Sequence, residues 1–255
     1  MIPKVGSTRI RIGIAIANGA LVDREQHQLV SNTPSWKYAK AELRDIAAAE
    51  YKFAIVRNPL ERLSSAFLDK ALGRGSDVPK FLDSVEFKGE VRNLSFRKFV
   101  ELVSENNHSK SNIHWLPQVR FLVYSNYDDL VPLEHLNDYV DRISARSGIP
   151  IPDQLLVGRH ENARYERISD DIFADRTVSE LQTLRGEGKT PAHQSMYDSS
   201  MEDAVRHAYK SDFAIYDRAK ELVGSVLHSD PPSSFSIRKG VSHLRRALFR
   251  GTVHT

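Results

Sequence analysis

The fold this sequence predicts is a three-layer α/β sandwich around a central parallel sheet. Short apolar runs rich in β-branched and aromatic residues, "YKFAIV" and "DDLVPLE", read as strands. Between them lie longer stretches whose apolar residues recur at helical spacing. Strands alternating with helices build parallel sheets covered on both faces. The chain has 255 residues, 40% of them hydrophobic, which is enough to bury a real core in one large domain or two small ones.

In chain order, Ser7 or Thr8 is expected to cap a first helix running to about Asn18, with Gly19 ending it. "PSWKYAKAELRDIAAAE" predicts a second helix from Pro34 and Ser35, with Trp36, Ala39, Leu43 and Ile46 on one face. "YKFAIV" is the first buried strand, and "NPLERLSSAFLDKAL" starts a helix with proline in its first turn. The stretch from Gly73 to Leu94, rich in Gly, Pro and charge, is expected to be an excursion. "SFRKFVELVSEN" predicts a helix, "DDLVPLE" a short strand, and "HLNDYVDRISARSG" a helix stopped by glycine. Helical patterns return from about Ser200 to Leu227, and "SDPPSS" breaks the chain. The expected organisation is a catalytic domain over 1–228 and a basic tail over 229–255.

Charge and residue usage narrow the function. No apolar run approaches the roughly 20 residues needed to span a bilayer. The first residues lack a secretory signal, and the chain has no cysteine. These features predict a cytoplasmic protein without disulfides or cysteine-ligated metal. Net charge is +3, and the excess gathers in "SIRKGVSHLRRALFR". That segment, 238–250 at its core, reads as a solvated tail or as a weak contact for an anionic surface. A nucleic-acid partner is not expected, because the tail offers only Phe235 and Phe249 between its cations.

Two loops carry the chemistry. "MIPKVGSTRI" would place the backbone N–H groups of Val5, Gly6, Ser7 and Thr8 at a helix N-terminus, where unsatisfied donors and the helix dipole attract an anion. Lys4 adds a point charge, and the Ser7 and Thr8 hydroxyls add donors. It is not a Walker motif, since G-x-x-x-x-G-K-S/T is absent. In "FAIVRNPLERLSSAF", Arg57 sits at a strand's C-terminal edge, where open α/β sheets bind ligands. Ser65 follows about two turns into the next helix, at ~3.6 residues per turn, so the pair could grip one phosphate. By spacing alone Arg57 serves equally as a cap of the sheet edge. Arg62, between them, has Glu61 or another acid as an alternative partner. A nucleotide with phosphates at two ends would fit both loops.

With these motifs in hand, the sequence resembles the membrane-type carbohydrate sulfotransferases, in the branch holding chondroitin, dermatan and uronyl O-sulfotransferases and bacterial relatives. "PKVGST" is similar to that family's 5′-phosphosulfate loop, and "VRNPLERLSSAF" to its 3′-phosphate motif. "QHQLVSN", "NIHWLPQ", "YDDLVPLEHLNDYV" and "YKSDFAIYD" follow in matching order, so the likeness spans about residues 2 to 217. It implies a P-loop-like sulfotransferase fold with 3′-phosphoadenosine 5′-phosphosulfate (PAPS) as co-substrate, no metal, and a carbohydrate or glycolipid acceptor. It further implies that Lys4, Val5, Gly6, Ser7 and Thr8 hold the phosphosulfate and that Arg57 and Ser65 hold the 3′-phosphate. "GKTPAHQS" resembles a loop closing over the nucleotide, with Lys189 and Ser195 as contacts. In the family an apolar strand precedes the Pro-Lys loop, where this sequence has Met1 and Ile2. An upstream start or a truncated chain is therefore expected, together with poor folding of a chain beginning at Met1.

The resemblance implies in-line transfer to an acceptor hydroxyl, with Lys4 neutralising the charge that grows on the leaving phosphate. A general base would take the hydroxyl proton. Of ten histidines, His27 comes first by its position between the loops, His114 beside Trp115 second, and His193 third. Two other readings compete. A P-loop-like kinase would need a strand acid for Mg²⁺, for which Asp128 and Asp129 are the candidates. A catalytically inactive sulfotransferase-like binding protein would need no turnover at all.

Overall fold

The computed structural model describes residues 1–19, 41–73, 75–105, 112–152 and 165–228. The first helix, α1, spans Ser7–Ala17 and buries Ile10, Ile12 and Ala15. Its N-cap is Gly6 rather than Ser7 or Thr8, with φ 76 and no side-chain cap. The left-handed turn needs a residue without Cβ, and an added Cβ would also lie 3.0 Å from Leu133 Cδ1. Where the sequence predicts one helix through Glu50, the described part holds only a short separate helix, α2 (Leu43–Ala47). Glu42 is its N-cap, in a capping box with Asp45, so no helix runs on through Glu42, and Leu43 is exposed rather than on a buried face. The expected start at Pro34 lies outside the described residues.

Strand β1 (Phe53–Val56) pairs in parallel with β2 (Asp129–Pro132), with Phe53 opposite Asp129 and Val56 opposite Pro132. Helix α3 (Pro59–Lys70) follows β1, with Pro59 in its first turn and the Asn58 side chain accepting from Leu60 N. The expected excursion between Gly73 and Leu94 instead holds an amphipathic helix, α4 (Asp77–Ser84), burying Val78, Phe81 and Leu82. Three buried side chains offset the local Gly and charge content that argued for a loop. Helices α5 (Phe96–Glu105) and α6 (Leu136–Ser147) stand as expected, α6 ending on Gly148 at φ 69.

A second parallel pair, β3 (Glu166–Ile168) with β4 (Lys189–Pro191), flanks helix α7 (Val178–Gly186). Neither strand shows an apolar run or alternation, so the sequence did not announce them. Helices α8 (Ser199–Ala208) and α9 (Lys210–His228) complete the described chain. The architecture is thus mixed helix and sheet, with two-stranded parallel sheets among the described residues. None of the described helices is long and apolar enough to cross a membrane.

Two apolar clusters hold these elements together. One packs α1, α6 and α9 on the β1–β2 pair, through Ile10, Ile55, Val131, Ile143 and Ala219. The other gathers α3, α4, α5, α7 and α8 around Phe67, Phe81, Phe96, Phe99 and Trp115. Its rings meet in tilted and edge-on pairs, such as Phe67–Phe96 at a centroid distance of 5.1 Å and Phe99–Trp115 at 5.3 Å. Helix α3 joins the second cluster while its N-terminus hangs on β1, so the edge carrying Arg57 is braced from both sides.

Candidate active site

Because β1 and β2 run parallel, Val56 and Pro132 end on one edge, and the chain leaves that edge at Arg57 and Leu133. The first loop sits on the same edge, since Gly6 closely approaches Leu133 and Leu136. Within it Lys4 takes φ 68, a left-handed conformation that costs a non-glycine residue roughly 1 kcal/mol. Strain of this kind persists where the surroundings impose it, and it gathers at functional sites. Here the imposition is visible. Arg62 is 2% exposed and donates Nε to Pro3 O at 3.0 Å, Nη1 to Leu116 O at 2.9 Å and Nη2 to Ile113 O at 3.4 Å. The acid partner expected for Arg62 is therefore replaced by three carbonyls. One arginine of α3 ties the first loop to the "NIHWLPQ" segment.

Arg57 joins the two loops. Its Nη1 donates to Lys4 O at 3.4 Å, its Nε and Nη2 reach Glu61 at 3.4 Å, and Nη2 donates to His193 Nε2 at 3.0 Å. Its backbone is clamped as well. Arg57 N donates to Gln118 Oε1 at 2.9 Å, and Gln118 Nε2 donates to Arg57 O at 2.8 Å. The Gln118 and Val119 amides in turn donate to the buried Asp212 carboxylate at 2.7 and 3.0 Å. Burial pushes that carboxyl up, against the pull of the two amides. Gln118 and Asp212 lay inside motifs read from the sequence, in "NIHWLPQ" and "YKSDFAIYD", but no periodicity or spacing marked them as clamps.

Lys4 Nζ lies 3.1 Å from Asp69 Oδ2, and Lys70 lies 3.6 Å from the same oxygen. Lys70 also reaches Asp77 Oδ2 at 3.3 Å, and His114 Nε2 lies 3.8 Å from that oxygen. Lys4, Asp69, Lys70 and Asp77 thus form a row of alternating charge from the first loop across α3 to α4, with His114 of the "NIHWLPQ" segment at its end. Burial lowers Lys4, with Asp69 opposing. Burial raises Asp69, but Lys4 and Lys70 together hold it below the usual carboxylate range. Burial, followed by the charge of Lys70, pushes His114 down to about 4, so its imidazole is neutral near pH 7. Its Nδ1 is buried without a partner among the described residues.

The structure thus brings Lys4, Val5, Gly6, Ser7, Thr8 and Arg57 to one edge, with His114 and His193 close by. Ser65 is buried on α3, where its hydroxyl bonds to no described residue. Ser64, one residue earlier, is the serine engaged with His193, at 2.8 Å from Nδ1. Ser195 donates its hydroxyl to Ala192 O at 2.9 Å and Ile168 O at 3.3 Å, and Lys189 opens β4 opposite Glu166. His27 and the basic tail lie outside the described residues. The two acids considered for a metal stand at the far end of the sheet. Asp129 opens β2 and is bound by Tyr51 and Arg142, while Asp128 is bound by the Lys52 amide and Arg146.

The sequence matches the model of the sulfotransferase family over residues 1–217. Carbohydrate sulfotransferase 10 of Homo sapiens is 27% identical over 141 residues, covering 46% of this chain and 40% of that protein. The protein of the same name from Gallus gallus is 26% identical over 141 residues, covering 46% and 39%. The match therefore spans about two-fifths of the length of these curated relatives. No solved structure matches the chain significantly. With the family model covering residues 1–217, the chain belongs to the sulfotransferase family.

Proposed function

We propose that this chain transfers a sulfuryl group from PAPS to a hydroxyl of a carbohydrate. The observation that carries the reading is the junction of the two loops, where Arg57 reaches Lys4 O and the α1 N-terminus shares its edge. The donor set fits a nucleotide with phosphates at two ends. The N–H groups of Val5 to Thr8 and the Lys4 ammonium face one anion, and Arg57 with the Ser65 hydroxyl faces the other. Lys189 joins them as a nucleotide contact. Ser195, in the same segment, is a further contact.

Transfer would break the S–O bond to the leaving phosphate and form one to the acceptor oxygen. Lys4 would neutralise the charge left on the phosphate. His27 remains the first choice for taking the acceptor proton. His114, neutral and in the same charged row as Lys4, is the second. The β1–β2 pair would belong to the central sheet of a three-layer sandwich, and residues 1–228 would form the catalytic unit. The carbohydrate acceptor follows from the similarity to the carbohydrate sulfotransferase 10 proteins. The kinase reading is disfavoured by the placement of Asp128 and Asp129 at the opposite end of the strands from Arg57.

Calorimetric titration with 3′-phosphoadenosine 5′-phosphate, beside AMP and ATP, tests the donor. Sulfuryl transfer from labelled PAPS to a panel of saccharides tests the acceptor. Binding that needs the 3′-phosphate and is lost in Arg57→Ala is the expected result. Preference for ATP with Mg²⁺ would overturn it.

A further inference from the structure

We propose that His193 is a positioning residue for the 3′-phosphate site, acting through Arg57, and not a proton acceptor for the substrate. The proposal rests on the reading of Arg57 as the 3′-phosphate ligand. His193 lies between two side chains of the 3′-phosphate motif, with Nε2 3.0 Å from Arg57 Nη2 and Nδ1 2.8 Å from Ser64 Oγ. A guanidinium only donates, so Nε2 must accept and Nδ1 must carry the proton. Ser64 Oγ then accepts from Nδ1 and donates its own hydrogen bond to Leu60 O at 3.0 Å. Every donor in this run meets an acceptor, and the run admits one tautomer only.

The consequence for chemistry is direct. The one lone pair His193 could offer a substrate proton is already used to aim Arg57. Burial, followed by the charges of Arg57, Arg167 and Lys4, pushes the ring down to about 3, because a second ring proton would point at the guanidinium. His193 arrives from outside the motif: it follows β4, whose partner strand β3 carries Arg167 opposite Thr190. The small β3–β4 sheet is therefore the third wall of the 3′-phosphate site, joining a distant part of the chain to α3. The other contacts of the guanidinium, to Glu61 and Lys4 O, are longer at 3.4 Å, so His193 makes the shortest one.

The test compares 3′-phosphoadenosine 5′-phosphate with AMP, which lacks the 3′-phosphate. In His193→Ala, affinity for the first should fall roughly ten-fold, the loss of one hydrogen bond to a charged group, with AMP affinity unchanged. His193→Gln, which keeps an acceptor toward Arg57 and a donor toward Ser64, should recover most of the loss. With PAPS as substrate, KM should rise by a similar factor while kcat changes by less than about three-fold. Unchanged selectivity in His193→Ala, or a collapse of kcat at constant KM, would overturn the proposal. Nitrogen NMR of wild-type protein tests it without any variant. A neutral Nδ1–H tautomer of His193 that persists to about pH 5 supports it, and an Nε2–H tautomer or an imidazolium at pH 7 rejects it. Failure of the wild type to distinguish the two nucleotides would instead count against the sulfotransferase reading of the site.

Discussion

Lys4 Nζ and Asp69 Oδ2 lie 3.1 Å apart, joining a strained loop residue to the C-terminal turn of the helix that follows β1. On the proposed reading, the pair would leave the ammonium partly neutralised until a phosphosulfate competes for it. In Lys4→Ala, kcat is expected to fall on the order of 10²–10³-fold, the range for loss of a single preorganised donor to a developing anion. Affinity for the product nucleotide should fall far less. Steady-state kinetics alongside titration separates the two, and an unchanged kcat would remove Lys4 from the mechanism.

Asp69→Asn takes away the competing carboxylate. Nucleotide should then bind about two- to five-fold more tightly, a small gain in keeping with a half-exposed ion pair. Weaker binding would mean that Asp69 holds Lys4 in its working position instead of competing for it.

Arg62 supplies three carbonyls with their donors from a buried position. Arg62→Met should destabilise the fold by roughly 2–4 kcal/mol, because the carbonyls of Pro3, Ile113 and Leu116 lose their partner together. Arg62→Lys should rescue little, since one ammonium cannot reproduce the fork. Urea unfolding of both variants decides this, and a stable Lys variant would show that charge rather than geometry matters.

His114 and His193 are both held well below the ordinary histidine value, at about 4 and about 3. The unfolded chain takes up their protons near pH 6.5 and the folded chain does not, so their contribution is complete above 6.5. It declines as pH falls toward 4 and then 3. Between pH 7 and pH 5 the protein should lose roughly 2–4 kcal/mol of stability from this pair. The groups facing His114 are Lys4, Asp69, Lys70 and Asp77, and His114→Asn should flatten the decline. Chemical denaturation at the two pH values is the measurement, and equal stability at both would contradict the shifts.

Local chemistry was enough to read much of this molecule. The proline at the start of α3, the glycine after α6 and the apolar run of β1 each act over a few residues, so each was legible without knowing the fold. The two loops were legible too, because a Lys-x-Gly-Ser-Thr turn and an arginine at a strand end carry their chemistry in residue type and spacing. What depends on separation in the chain was not legible. Helix α4 was hidden by its Gly- and charge-rich setting, and β3 and β4 by their three-residue length.

The sequence by itself determined that a cationic turn and an arginine motif exist, that helices and short strands alternate, and that the family pattern runs in order along the chain. Only the tertiary structure decided what those residues face. Parallel pairing of β1 with β2 brought Arg57 and the first loop to one edge. Arg62 found carbonyls rather than an acid, and Lys4 found Asp69 some sixty-five residues away in the chain. His193 found Arg57 across |i−j| = 136. Residue type states what a side chain can donate or accept, but which partner satisfies it depends on how packing of the two cores closes the chain on itself.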